Sequence, residues 1–232
     1  MPESKQDTAG SVSSAWQRGL ANLLAAQGVS KLSDTYSSNV VLKEQPKQQS
    51  LVKKLVKLIE KDGIKVETNA DVKFPTFFSD TNKISFNGKN IPAGILAHEW
   101  GHGLFDRALK NKIGAGLTKA WNSLYSLGGA SAPVALLASA GASVDGASDD
   151  TVRNVGLIGS ALQVPRLIDE IAASAQGVKK LQQLNLPGKW RAFLGVPTYL
   201  LSTAAPMIPW GLRKMEPGLD NLLDKLKNKP SE

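Results

Sequence analysis

The stretch Ile95–Leu104, with the sequence ILAHEWGHGL, determines how the rest of the chain is interpreted. It contains the pattern HExxH, in which His98 and His102 lie four residues apart and Glu99 follows the first of them. On a helix, residues four apart lie on one face, so the two imidazoles can bind the same metal ion. Glu99 can then reach a water molecule on that ion and act as a general base, as in zinc hydrolases. We therefore predict a helix that carries a catalytic zinc site.

The third zinc ligand has to be a carboxylate. A catalytic zinc ion usually has three protein ligands and one open position, and this sequence contains two histidines and no cysteine. The absence of cysteine also excludes disulfides and a cysteine nucleophile. The best candidate is Glu170, followed by Asp169, in a helical segment that begins where an apolar stretch ends.

The composition indicates a globular protein with a sizeable core. The chain has 232 residues, of which 42% are hydrophobic, enough for one large domain or for one domain with additions. The net charge is +8, but the lysine-rich segments 43–65 and 213–229 also contain acidic residues, which indicates solvated helix faces. An anionic membrane surface is the second interpretation. Nucleic acid is not an expected partner, because no basic stretch contains interleaved aromatic residues.

Changes in composition along the chain predict three parts. We expect a polar tail and a short amphipathic helix at 1–48, the domain with the metal site at 49–215, and an amphipathic helix at 216–232. The N-terminal residues lack a basic segment followed by an unbroken apolar one, so no secretory signal peptide is expected.

The domain that carries the metal site is predicted to be α+β and mainly helical. The spacing of apolar residues predicts a helix at 51–61, short strands at 64–66 and 83–87, and a metal-site helix that ends at Gly114. This order of elements gives a small sheet followed directly by the HExxH helix.

The second predicted strand bears on substrate binding. Residues 83–87 alternate between polar and apolar side chains just before the metal-site helix. A strand on the rim of a cleft can hold an extended peptide through main-chain hydrogen bonds. We therefore expect an edge strand here, with the substrate-binding residues Ile84, Ser85, Phe86 and Asn87.

Long uncharged stretches follow the metal-site helix. They predict an apolar helical hairpin at 120–165 and a further stretch at 192–212 that is interrupted by prolines. The hairpin either enters a membrane or is buried in a soluble cytoplasmic protein. Basic residues lie on the metal-site side of the hairpin, whereas the loop that connects its two halves is acidic. This asymmetry favours membrane association with the metal site on the cytoplasmic side.

Three features in this order resemble a known family: the HExxH pattern at 98–102, the apolar hairpin, and the segment Glu170-Ile-Ala-Ala-Ser174. The combination is similar to the YugP-like neutral zinc metallopeptidases, which are membrane relatives of the HtpX-type gluzincins. The resemblance covers roughly residues 50–214 and includes the strand before the pattern and Tyr199 in a late Pro-Thr-Tyr segment.

The resemblance implies a zincin-like fold and a role for each site residue. His98, His102 and Glu170 would bind zinc, and Glu99 would be the base that activates water for attack on a peptide bond. Related enzymes often have an aspartate at the position of Ser174. The Ser174 hydroxyl would still accept a hydrogen bond from a ligand histidine, but it would contribute no charge.

The sequence leaves two alternatives, one for the residue that stabilises the oxyanion and one for the function of the protein. The residue that stabilises the oxyanion could be Arg166, Arg191 or Tyr199, with no preference among them. The rival function is that of a non-enzymatic membrane or assembly protein that retains the zincin scaffold, because the small residues of the hairpin suit close helix packing. The intact HExxH pattern favours the peptidase.

Overall fold

A computed structural model of the protein describes residues 49–72, 75–87, 91–144, 146–193 and 195–215. The tail and helix predicted at 1–48 and the helix predicted at 216–232 lie outside the described residues. The described part is mainly helical with one three-stranded sheet, which confirms the predicted fold class at this level.

Helix α1, Gln49–Lys61, packs an apolar face into the core. Leu55 and Ile59 lie one turn apart and are fully buried, as the helical spacing of the sequence predicts. The helix ends before Gly63, which has a φ of 75°. Glycine adopts this left-handed conformation without the steric cost of a Cβ atom, so the predicted stop is confirmed.

The sheet has the strand order β1–β3–β2, with β1 at Lys65–Thr68, β2 at Thr76–Phe78 and β3 at Lys83–Phe86. β1 pairs with β3 in parallel, and β2 pairs with β3 antiparallel. β1 and β3 correspond to the two predicted strands, whereas β2 was not predicted.

The prediction that Ile84–Asn87 forms an edge strand is wrong. β3 is the central strand of the described sheet, and Ile84, Ser85 and Phe86 are buried. β2 precedes β3 and forms a hairpin that pairs with one of its edges, while β1 pairs with the other. Alternating side chains indicate which face of a strand is buried, but they do not reveal whether its edges are paired.

Two long helices contain most of the described residues. α2 extends over Ala93–Val144 but is interrupted at Gly114, whose backbone angles (φ 82°, ψ 161°) are not helical. The metal-site part of α2 therefore ends where the sequence predicts. α3 extends over Asp149–Gln183. After it come a 3₁₀ helix at Lys189–Phe193, α4 at Val196–Ala204, a 3₁₀ turn at Ala205–Met207 and helical residues 208–215.

The described residues form two compact units. The site unit contains 49–129 and 164–201, and the hairpin unit contains 130–163 and 202–215. The core of the site unit joins α1, the sheet, the first part of α2 and the end of α3. Its fully buried large side chains include Leu55, Ile59, Ile64, Ile84, Leu96, Trp100 and Leu181.

The hairpin unit is a helix–turn–helix in which small residues allow close packing. A Cβ atom at Gly159 would overlap the side chain of Ala135 on the opposite helix. Near the turn, Arg213 donates hydrogen bonds to the carbonyl oxygens of Ser143, at 2.7 Å, and Ala147, at 2.5 Å. The bond to Ser143 satisfies a carbonyl group that the end of α2 leaves without a helical partner, and the bond to Ala147 holds the turn that follows.

Within the described residues, no single helix is both long and apolar enough to cross a membrane. The bent pair Ala93–Gly128 and Pro133–Ser143 meets the length and composition requirements together. Membrane association therefore stays a prediction.

Candidate metal centre

The first part of α2 holds the HExxH residues beside the core. Trp100 points into the core and is 2% exposed, whereas His98, Glu99 and His102 line a cavity of about 560 Å³. The ligand atoms of these three residues all lie within 4.8 Å of one another, so the group could hold a metal ion. The Nε2 atoms of the two histidines are 3.1 Å apart, as the spacing of one helical turn predicts.

Helix α3 brings Glu170 to the same place. Its Oε2 atom lies 3.1 Å from Nε2 of His98 and 3.7 Å from Nε2 of His102. Its other oxygen, Oε1, accepts a hydrogen bond of 2.9 Å from the hydroxyl of Tyr125. The side chain is almost completely buried. The carboxylate that the sequence ranks first as the third ligand therefore lies beside both histidines.

Small residues on both helices allow this close approach. α2 has Ala97 and Gly101 four residues apart, and α3 has Ala173 and Gly177 at the same spacing. A Cβ atom at Gly101 would overlap the backbone of Ala173, and one at Gly177 would overlap the carbonyl oxygen of Ala97. The two backbones therefore touch, as helices do where small residues recur at every fourth position. Gly101, inside the HExxH pattern, has this packing role.

The histidine nitrogens that face away from the centre have hydrogen-bond partners. Nδ1 of His102 lies 2.7 Å from Oδ2 of Asp169. Nδ1 of His98 lies 3.1 Å from both the hydroxyl of Ser174 and the carbonyl oxygen of Ala192. Because carboxylate and carbonyl oxygens only accept hydrogen bonds, Nδ1 carries the proton in each neutral ring. Each Nε2 then presents a lone pair, which is the form that binds metals.

The centre favours positive charge. Burial alone would lower the pKa of His102, but hydrogen bonds with Asp169 and Glu170 outweigh it and hold this pKa well above its usual value. Burial would raise the pKa of Glu170, yet hydrogen bonds with His102 and His98 keep it well below its usual range. A cation among these atoms is therefore stabilised by buried carboxylates.

Glu99 is held differently from Glu170. Its Oε2 atom accepts a hydrogen bond of 2.7 Å from the backbone N–H of Phe77 in β2. Burial is the main reason that the pKa of Glu99 is raised above its usual value. A carboxylate with a raised pKa takes up a proton more readily, which is the property that a general base needs.

The cavity beside the centre is lined by the sheet edge and by both long helices. β2 and the turn after it form one side, over residues 75–80. Tyr125, Arg166 and Tyr199 also line the cavity. The guanidinium of Arg166 lies 5.4 Å from the centroid of the Tyr125 ring and 4.9 Å from that of Tyr199. Two of the three residues considered for the oxyanion therefore lie here, whereas Arg191 does not line this cavity.

The predicted substrate-binding residues occupy a different position. Ile84, Ser85, Phe86 and Asn87 do not line the cavity, and β2 lies there instead. The sequence does not indicate three other parts of the site: Phe77, Tyr125 and the contact of Asp169 with His102. The position of Asp169 next to Glu170 is a signal that it belongs to the site. From the sequence, however, Asp169 is only an alternative to Glu170 as the third ligand.

The fold and this centre define a mainly helical α+β protein with a histidine–glutamate–histidine group that could hold a metal ion. No family model, curated protein or solved structure matches this chain. A functional assignment therefore depends on the chemistry of the centre.

Proposed function

We propose that the protein is a zinc-dependent metallopeptidase in which His98, His102 and Glu170 bind zinc and Glu99 is the general base. The convergence of three acceptor atoms, two from half-buried histidines and one from the buried Glu170, is the observation that carries this proposal. The resemblance to the YugP-like neutral zinc metallopeptidases leads to the same assignment of residues.

The dimensions of the centre support zinc. Bonds of about 2.0–2.1 Å from zinc to nitrogen and oxygen place neighbouring ligands of a tetrahedral site about 3.3 Å apart. The three separations among the two Nε2 atoms and the Glu170 oxygen are 3.1, 3.1 and 3.7 Å. Two imidazoles and one carboxylate form a donor set of catalytic zinc sites, and all three side chains line the cavity that a substrate would enter.

The proposed reaction is hydrolysis of a peptide bond. Bound zinc would supply Lewis acidity, which makes water more acidic and the peptide carbonyl more electrophilic. Glu99 takes a proton from water as the water oxygen attacks the carbonyl carbon, and then gives it to the leaving amine as the C–N bond breaks. Asp169 and Ser174 hold the two imidazoles in orientation through their Nδ1 atoms.

β2 is the strand that is best placed to bind a peptide substrate. It is the terminal strand of the described sheet on the side of the cavity. The N–H of Phe77 points away from β3 toward Glu99, so the outer edge of β2 faces the centre. An extended peptide could pair with this edge and place a carbonyl group beside Glu99. This arrangement supports a substrate of unfolded polypeptide.

The variant Glu99→Gln tests the proposed function. It replaces the base with an isosteric amide, so we expect zinc content to be retained and hydrolysis of unfolded casein to fall by about 10²–10⁴-fold. The matched control is Glu67→Gln, the same change at a β1 residue outside the cavity, which bonds to Lys83 and Ser85. Full peptidase activity in Glu99→Gln would contradict the assignment. A zinc-loaded wild type without peptidase activity would favour the non-enzymatic scaffold.

We further propose that the protein associates with a membrane, with the metal site on the cytoplasmic side. Large apolar side chains are exposed in both units, Leu117 and Leu127 in the site unit and Val134, Leu137 and Ile158 in the hairpin unit. Exposed apolar surface often marks a site of membrane or protein interaction. The lysines that precede the hairpin support the proposed orientation.

A further inference from the structure

The cavity contains one cation that the proposed hydrolysis does not use. Arg166 lies on α3 one helical turn before Glu170, and residues four apart lie on the same face of a helix. Both side chains therefore face the same cavity, and both line it. Arg166 is thus close to the proposed zinc site without being one of its ligands.

Two tyrosines fix the position of this guanidinium. Its central carbon lies 5.4 Å from the ring centroid of Tyr125 and 4.9 Å from that of Tyr199. Tyr125 is itself held by the hydrogen bond of 2.9 Å from its hydroxyl to Glu170. Arg166 also donates a hydrogen bond to the hydroxyl of Tyr199. A guanidinium has five N–H donors, so others remain for an acceptor that enters the cavity.

No carboxylate in the described part of the chain forms an ion pair with Arg166, although the charge of Glu170 attracts its guanidinium from farther away. Two carboxylates follow Arg166 on α3. Asp169 lies against Nδ1 of His102, and Glu170 accepts from Tyr125 through Oε1 and faces the histidines through Oε2. The Nε atom of Arg166 is buried and has no hydrogen-bond partner among the described residues. A buried donor of this kind is costly to leave unbonded, so the site favours a ligand that accepts from it.

We propose that Arg166 binds a carboxylate group of the substrate, so that peptides with an acidic residue or a free C-terminus next to the cleaved bond are preferred. This inference rests on the proposed peptidase function. The planar fork of a guanidinium matches the two oxygens of a carboxylate and forms two parallel charge-assisted hydrogen bonds with them. A substrate with a neutral side chain beside Arg166 would form no charge-assisted hydrogen bond with these donors.

Binding measurements test this preference separately from catalysis. Short blocked alanine peptides with Glu at each position in turn are titrated into the Glu99→Gln protein, and each is compared with the matching Gln peptide. A second pair, a peptide with a free C-terminus and its C-terminal amide, distinguishes the two sources of the carboxylate. Both titrations are run with zinc-loaded and with metal-free protein, so failure of zinc binding does not prevent the comparison.

We expect one acidic peptide to bind at least about tenfold more tightly than its neutral counterpart, the ratio that charge-assisted hydrogen bonds provide. Adding Arg166→Gln should reduce this ratio to about one, and Arg166→Lys should leave an intermediate ratio because lysine keeps the charge without the fork. Arg153→Gln is the matched control, because Arg153 is an exposed arginine of α3 paired with Asp150.

Two outcomes would overturn the proposal. One is that no acidic peptide binds more tightly than its neutral counterpart. The other is that Arg166→Gln and Arg166→Lys both retain the full preference. An unchanged binding preference, together with slower hydrolysis of every substrate when Arg166→Gln is made in the protein that retains Glu99, would also overturn the proposal and assign Arg166 to stabilisation of the oxyanion.

Discussion

Asp169 and Glu170 are adjacent carboxylates with different tasks. Successive residues of a helix point about 100° apart, so the two side chains cannot approach the same atom from the same direction. Glu170 reaches the Nε2 side of the histidines, and Asp169 reaches Nδ1 of His102. The sequence predicted that an acid of this pair lies at the site and ranked Glu170 first. It could not reveal the role of Asp169, because that role depends on how α3 crosses α2.

At the same scale, the two histidines have supporting groups of unequal strength. Asp169 gives His102 a charged partner, whereas His98 has the neutral Ser174 and the carbonyl oxygen of Ala192. We expect Asp169→Asn to weaken zinc binding by about 10–100-fold. Ser174→Ala should weaken it less, because the Ala192 carbonyl still accepts from Nδ1. Competition with a zinc chelator measures both affinities.

The comparison has a matched control in Asp150→Asn, the same change at an exposed aspartate of α3 that pairs with Arg153. This control should keep the affinity of the wild type. A larger loss in Ser174→Ala than in Asp169→Asn would contradict the ranking of the two supporting groups.

At the scale of elements, the contact between α2 and α3 determines whether the centre forms. We expect Gly101→Ala and Gly177→Ala to destabilise the fold by about 1–3 kcal/mol or more, because the added Cβ atom overlaps backbone on the other helix. Separating the helices also moves Glu170 away from the histidines, so zinc binding should be lost. Thermal unfolding and zinc content measure the two effects.

Gly116→Ala is the control for these variants, because a Cβ atom at this helical position has nothing within 4 Å. Alanine has a higher helix propensity than glycine, so this change should be neutral or stabilising by up to about 1 kcal/mol. Equal stability of Gly101→Ala and Gly116→Ala would show that the helices do not need this close contact.

Side-chain periodicity and glycine positions were enough to predict most of the helices and strands that the structure shows in the described residues. The apolar spacing of α1 and its stop at Gly63, and the interruption of α2 at Gly114, follow from side-chain periodicity and glycine conformation. β2 has only three residues, Thr76–Phe78, and is stabilised by pairing with β3. Such a short strand has no periodicity to detect, and its omission led to the wrong position for the sheet edge.

At the scale of the whole molecule, the exposed apolar residues predict a preference for lipid. We expect the full chain to float with vesicles that contain anionic lipid, and to remain bound at high salt because apolar burial is not screened. Leu137→Gln combined with Ile158→Gln should reduce the bound fraction, since both residues are exposed in the hairpin unit. Exclusion of the wild type from vesicles of every lipid composition would contradict membrane association.

The most direct test of the account is the zinc bound to purified protein, measured by elemental analysis and zinc X-ray absorption. We expect one zinc per chain in the wild type, with two imidazole ligands and oxygen at about 2.0–2.1 Å. Zinc should fall strongly in Glu170→Ala and His102→Ala but stay at the wild-type level in Glu99→Gln. No zinc in the wild type after reconstitution, or full zinc in Glu170→Ala, would contradict the proposed three-ligand centre.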